Sequence, residues 1–115
     1  MNYSQYKFNA VTDNHLYIFR NQISIHLSEI ILLEALDNYT VIYLKNGKPI
    51  IIARTLKSFE NSLKSFSFQR IHHGCIINLK HLERYNPENG KIDLTNNFKA
   101  IASRRKRGLL ECLIH

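Results

Sequence analysis

YTVIYLKNGKPIIIAR, residues 39–54, decides the fold. Its first half, YTVIYLK, is rich in β-branched and aromatic residues, which suit a pleated, half-buried surface. Asn46-Gly47 follows, a dipeptide that favours a type I′ turn because both of its central residues must take positive φ. PIIIAR then returns as the partner strand. Pro49 stands at its first position, where a missing N–H donor is tolerated. The stretch predicts an antiparallel hairpin, and the sequence on either side repeats that logic.

Upstream, IILLEAL (30–36) is an apolar run bounded by Ser28-Glu29 and Asp37-Asn38. QISIHL (22–27) alternates, with Ile23, Ile25 and Leu27 on one side and Ser24 and His26 on the other, the pattern of a half-buried strand. LYIF (16–19) precedes it across Arg20-Asn21. Residues 1–15 are polar and aperiodic and read as a tail or linker, with Tyr3, Tyr6 and Phe8 as its only bulky anchors. Downstream, the period changes. In TLKSFENSLK, Leu56, Phe59 and Leu63 fall at i, i+3 and i+7, which predicts one short amphipathic helix with Thr55 as its cap. Strands are then expected at FSFQ (66–69), CIINL (75–79), HLERY (81–85), KIDL (91–94) and FKAIA (98–102), with a helical turn as an alternative near 78–82. Ser103 can cap a terminal helix over RRKRGLLECLIH, although Gly108 weakens it. The fold class is therefore mainly β: small antiparallel sheets in an elongated β-β-β sandwich, one short internal helix and a short C-terminal one. There is no helix-turn-helix pattern, so any reading of DNA must fall to loops or strand ends.

The 115 residues amount to about one domain. Formal net charge is +7, and it is unevenly placed. Residues 1–60 carry 6 Lys/Arg against 5 Asp/Glu, whereas residues 61–115 carry 10 against 4. A basic second half points to an acidic partner such as nucleic acid. Cys75 and Cys112 lack zinc-ligand spacing, and Cys75, inside GCIINL, reads as a buried thiol. No apolar run approaches the ~18 residues that span a bilayer, and the N-terminus lacks the regions of a secretory signal. The expected location is the cytoplasm, with no membrane partner.

The chemistry concentrates in FQRIHHGCIINLKHL, residues 68–82. Its polar residues invite three readings. A metal site would need convergent ligands, but His72 and His73 are adjacent in an extended stretch, and no HExxH or HxH spacing recruits His26, His81 or His115. Acid–base catalysis, as in a small His-based nuclease, would draw on Glu83 or Asp93 only by default. An anion grip by Arg70, His72, His73 and Lys80 fits better, because guanidinium, imidazole and ammonium all donate to phosphate oxygens. His72 can equally be a structural hydrogen-bonder that holds the loop. The second cluster is SRRKR, residues 103–107. Four cations at a helix start oppose the helix dipole, a cost that a polyanion would offset. No catalytic residue, metal ligand or cofactor is assigned.

These residues resemble a family. FQRIHHGCIINLKHL is similar to the F-x-R-x-H-x-S-x-x-V-N-x-x-x-I signature of the LytTR DNA-binding domain of bacterial response regulators. IILLEALDNYTVIYLKNGKPIIIARTLKSFENSL resembles its I-x-x-I-E-A…N-Y…G…T-L-x-x-L-E-x-x-L segment, and FKAIASRRKR its closing V-S-R-R segment. The resemblance runs from about residue 16 to 112 and sets a domain at 16–115. It implies three small antiparallel sheets and loops that enter successive major grooves of double-stranded DNA, with two copies on direct repeats. Base contacts are implied for the loop Asp37-Asn38-Tyr39 (through Asn38), for His73 and for Arg105. Phosphate contacts are implied for Ser103, Arg104 and Lys106 and, within the loop the resemblance marks, for Tyr39; the residue reading adds Arg70, His72 and Lys80. Gly74 stands where the family has Ser, which removes a hydroxyl that could bind phosphate. No receiver domain precedes the motif, so the chain reads either as an excised fragment or as a stand-alone regulator with a short tail; a receiver domain or partner regulator is a further candidate partner. Two other readings stay open: a protein-interaction module of the same fold that has lost DNA binding, and the His-based nuclease.

Overall fold

A computed structural model describes residues 9–18 and 22–114. Its centre is a five-stranded antiparallel sheet in the order β6-β5-β4-β8-β7, built from β4 (Ile30–Leu36), β5 (Tyr39–Leu44), β6 (Ile50–Ile52), β7 (Phe68–His72) and β8 (Cys75–Asn78). A three-stranded sheet of β1 (Asn9–Thr12), β2 (His15–Ile18) and β3 (Ile23–His26) lies on one side. A second three-stranded sheet, in the order β11-β10-β9, is made by β9 (Leu82–Tyr85), β10 (Lys91–Leu94) and β11 (Lys99–Ile101). Helix α1 spans Leu56–Leu63 and α2 spans Arg104–Ile114. The fold is the expected mainly β assembly of three small antiparallel sheets, with a principal-axis length of 50 Å against 29 and 28 Å.

Both faces of the central sheet are covered, which explains why IILL reads as a continuous apolar run. On one face Ile30, Leu33, Ile42, Ile52 and Ile76 pack with Leu16, Ile18 and Ile25 of the first sheet and with Leu56, Phe59 and Leu63 of α1. On the other, Ile31, Leu32, Ile71, Cys75 and Ile77 pack with Ile92 and Leu94 of the third sheet and Leu110 of α2. Ile31 and Leu32 are consecutive yet share a face, because the β4–β5 register slips between Ile30 and Leu32. One extra residue at a bulge re-aims the side chains that follow.

Where the elements join, several sequence expectations are corrected. Within residues 1–15, Asn9–Thr12 and His15 belong to the first sheet, paired Thr12↔His15 across Asp13-Asn14. Both turn residues have positive φ, 54° and 62°, the requirement of a type I′ turn. Tyr3, Tyr6, Phe8, Phe19 and Arg20-Asn21 lie outside the described residues. At Asn46-Gly47 only Gly47 takes positive φ, 92°. The β5–β6 partners are Thr40↔Ile52, Val41↔Ile51 and Ile42↔Ile50, one residue out of step with a two-residue loop centred on Asn46-Gly47. The connection is wider because Lys45 instead bonds to the Glu29 carbonyl (2.7 Å) and Pro49 offers no N–H to prolong the ladder. Thr55 precedes α1, but its side chain makes no capping bond; its carbonyl accepts from the Ser58 N–H and hydroxyl. Residues 79–81 form a 3₁₀ turn, the helical alternative, and the strand expected at 66–69 begins at Phe68.

Candidate nucleic-acid interface

β7 and β8 meet at the tight turn His73-Gly74. Between Arg70 and His72 the register slips by one residue, and Ile71 is the extra one. Its side chain is fully buried, while its carbonyl accepts the Ser103 N–H at 2.9 Å. The bulge thus ties the first residues of α2 to the turn. On the other flank the Ala35 N–H donates to the Gly74 carbonyl at 2.9 Å, and Glu34 pairs with Cys75. Leu36 and Tyr39, paired across Asp37-Asn38, form the tip of the β4–β5 hairpin. Three segments far apart in sequence, residues 36–39, 72–74 and 103–105, are therefore joined by backbone hydrogen bonds at one end of the central sheet.

Arg70 and His72 hold this end together. The Arg70 guanidinium donates to Glu60 Oε1 at 2.8 Å, to the His72 carbonyl at 3.1 Å and to the His73 carbonyl. Its side chain is only 19% exposed. That places Arg70 behind the turn as a clamp rather than on the surface as a free cation. The His72 Nδ1 accepts the Gly74 N–H at 2.9 Å, so this nitrogen is unprotonated here. Burial first, and then the neighbouring His73, hold the His72 pKa below its ordinary value, with Glu34 opposing them. The two imidazoles, expected on opposite sides of the chain, have their centroids 5.6 Å apart at 65°. A Cβ at Gly74 would meet His72 Cε1 at 3.2 Å, so a Ser here would press on that ring.

Helix α2 divides the SRRKR run. Arg104 and Arg105 are exposed, whereas Lys106 and Arg107 are half-buried. Arg107 turns back to the Ala102 carbonyl (3.4 Å) and the Glu88 carbonyl (3.5 Å) and covers Gly90. Gly90 has a φ of 76°, and an added Cβ would lie 2.6 Å from Arg107 Nε. Among the described residues no carboxylate lies within salt-bridge distance of Arg104, Arg105 or Lys106, and the first turn of α2 holds no acidic residue. Cations at a helix start are each disfavoured by about 0.3–1 kcal/mol. The Ser103 carbonyl accepts the N–H groups of Lys106 and Arg107, while its hydroxyl is buried without a partner.

The expected site residues thus fall into groups. Asn38, Tyr39, His72, His73, Ser103, Arg104 and Arg105 belong to the three joined segments, Lys106 follows them in α2, and Arg70 lies behind the His73 turn. Lys80 is not brought to this end. It sits in the 3₁₀ turn beyond Asn78, roughly 10 Å of strand from Cys75 at about 3.4 Å per residue. Asn78 and His81 carry structural roles that the sequence reading passed over. Buried Asn78 donates to the carbonyls of Leu27 (3.3 Å) and Ile30 (2.9 Å) and accepts from the Ser67 hydroxyl and the Lys80 N–H. His81 bridges the Ser28 carbonyl (2.6 Å) and the Thr95 hydroxyl (2.9 Å), joining two layers. Among the described residues no three His, Cys, Asp or Glu side chains converge to hold a metal ion. Burial, with Glu34 adding to it, pushes the Cys75 thiol up to about 12.

A layered mainly β domain with the His73 turn, the β4–β5 hairpin tip and the cationic start of α2 gathered at one end of its central sheet defines the class. The family model of the LytTr DNA-binding domain matches residues 7–114, and the chain belongs to that family of DNA-binding domains. Among solved structures it is similar to the LytTr DNA-binding domain of a protein described as a methyl-accepting/DNA response regulator from Bacillus cereus. The TM-score is 0.70 at 21% identity, over 92% of this chain and 94% of that one. Among curated proteins there is no match.

Proposed function

We propose that the chain is a sequence-specific reader of double-stranded DNA in a bacterial transcription regulator, acting in the cytoplasm through loops that enter major grooves. Asn38, His73 and Arg105 are its base contacts. Tyr39, Arg104 and Lys106 are its phosphate contacts; Ser103, with its N–H on Ile71 and its hydroxyl buried, instead anchors the start of α2, and Arg70 and His72 act from beneath by fixing the turn that carries His73. Lys80, in the turn beyond Asn78, lies apart from these contacts. Two copies occupy direct repeats, and a receiver domain or partner regulator supplies the signal. Membership of a family of DNA-binding domains favours this over the nuclease reading. The observation that supports it most directly is the hydrogen bond from the Ser103 N–H to the Ile71 carbonyl. It ties the cationic start of α2 to the strand that leads into the His73 turn, which supports a reading in which both meet one polyanion together.

Selection from random duplexes with the purified protein tests the proposal. The expected result is a short motif repeated one or two helical turns apart. Equal recovery of all sequences would reject sequence-specific reading, and recovery of none would favour the protein-interaction alternative.

A further inference from the structure

Leu36 and Tyr39 flank the two-residue tip of the β4–β5 hairpin and face one another across it. They are 53% and 48% exposed. Strand alternation decides which way they face. The β4–β5 register is constant from Leu32 to Leu36, so Leu32, Glu34 and Leu36 share one face of the central sheet. Leu32 packs in the same cluster as Leu110 of α2. The apolar pair therefore stands on the face that α2 covers, at the end where the Ser103 N–H meets Ile71 and the Ala35 N–H meets Gly74. Exposed apolar side chains thus share one end of the sheet with the start of α2, where Arg104 and Arg105 are exposed and, among the described residues, have no carboxylate in reach.

We infer that Leu36, supported by the ring of Tyr39, reads the C5-methyl group of thymine in the major groove. This rests on the DNA-reading function proposed above and adds a determinant of sequence that makes no hydrogen bond. The major groove offers one apolar group, the thymine methyl, and a leucine held beside cations that grip phosphate has the chemistry to recognise it. Tyr39 is then partly a prop for Leu36, besides its expected contact to phosphate.

The test uses the duplex recovered by selection, with each thymine replaced in turn by deoxyuridine, which removes only the methyl group. The wild-type protein should lose about fourfold in affinity at one or two positions, the worth of one buried methyl. Leu36→Ala should bind thymine and uracil at those positions equally, and Leu36→Met should keep the discrimination. Because Leu36 is exposed, the Ala variant should keep the wild-type melting temperature, which separates lost contact from lost fold. Wild-type indifference to every replacement would overturn the inference while leaving DNA reading intact. So would undiminished discrimination by Leu36→Ala. Failure to select any duplex would overturn both.

Discussion

Arg70 and Arg105 both belong to basic motifs, yet the fold uses them differently. Arg105 is exposed, with no carboxylate within reach among the described residues. Arg105→Ala should therefore cost about 1–3 kcal/mol of binding and relax the preference at one base pair. Arg104→Ala should weaken binding evenly across sequences; competition against mutated duplexes distinguishes the two patterns. Arg70 is bonded to Glu60 and to two carbonyls of the turn. Arg70→Met should lower the unfolding free energy by about 1.5–3 kcal/mol, measured in urea, because those acceptors lose a charged donor. His72 gives a pH signature. Its folded-state pKa is lowered, so the unfolded chain takes up the proton first as pH falls. Its contribution is complete above about pH 6.5 and is lost as pH falls through the lower folded value. The stability of wild type should fall between pH 7.5 and 5 by more than that of His72→Gln; equal slopes would assign the effect to another group.

The element scale shows what could be read from the chain and what could not. The pairing of β5 with β6, α1 and the boundaries of β4 were legible because the hydrophobic period was clear there. The hairpin at Asp13-Asn14 was hidden because NAVT carries little apolar signal: Asn9 is buried by bonding to the Ser58 carbonyl and receiving the Ser62 hydroxyl, not by being hydrophobic. At Asn46-Gly47 the local preference yielded to the pairing of Lys45 with Glu29. The bulges at Ile31 and Ile71 left no mark in the sequence: Ile31 looks like any other residue of an apolar run, and Ile71, between Arg70 and His72, reads as the buried position of an ordinary alternating strand. The site was legible as a set of residues, but its connections were not. Arg70 reads as a surface cation until Glu60, ten residues earlier on α1, is seen to hold it. Asn78 is the element-scale test. Its four hydrogen bonds join the end of β8 to the turn before β4 and to the α1–β7 connection. Asn78→Ala should cost about 3 kcal/mol of stability, read from urea unfolding, because buried carbonyls would be left unsatisfied.

At the scale of the whole molecule, binding should be dominated by charge. Log affinity should fall linearly with log salt by roughly 0.9 for each phosphate neutralised. Replacing Arg104 and Arg105 together with Ala should reduce that slope by roughly 1.8 if both meet phosphate, and by less if Arg105 meets only bases. Titrations at several salt concentrations give both numbers.

The shape of the central sheet bears on solubility as well. Its β6 margin is a bare isoleucine triplet, with Ile51 59% exposed, the composition from which amyloid spines grow. Yet only three residues are extended there, Pro49 removes the next donor, and Lys48 and Arg54 bracket the triplet with charge. A proline that sequence logic sets at the first position of a strand thus also acts as a gatekeeper, denying an incoming chain a template on which to polymerise.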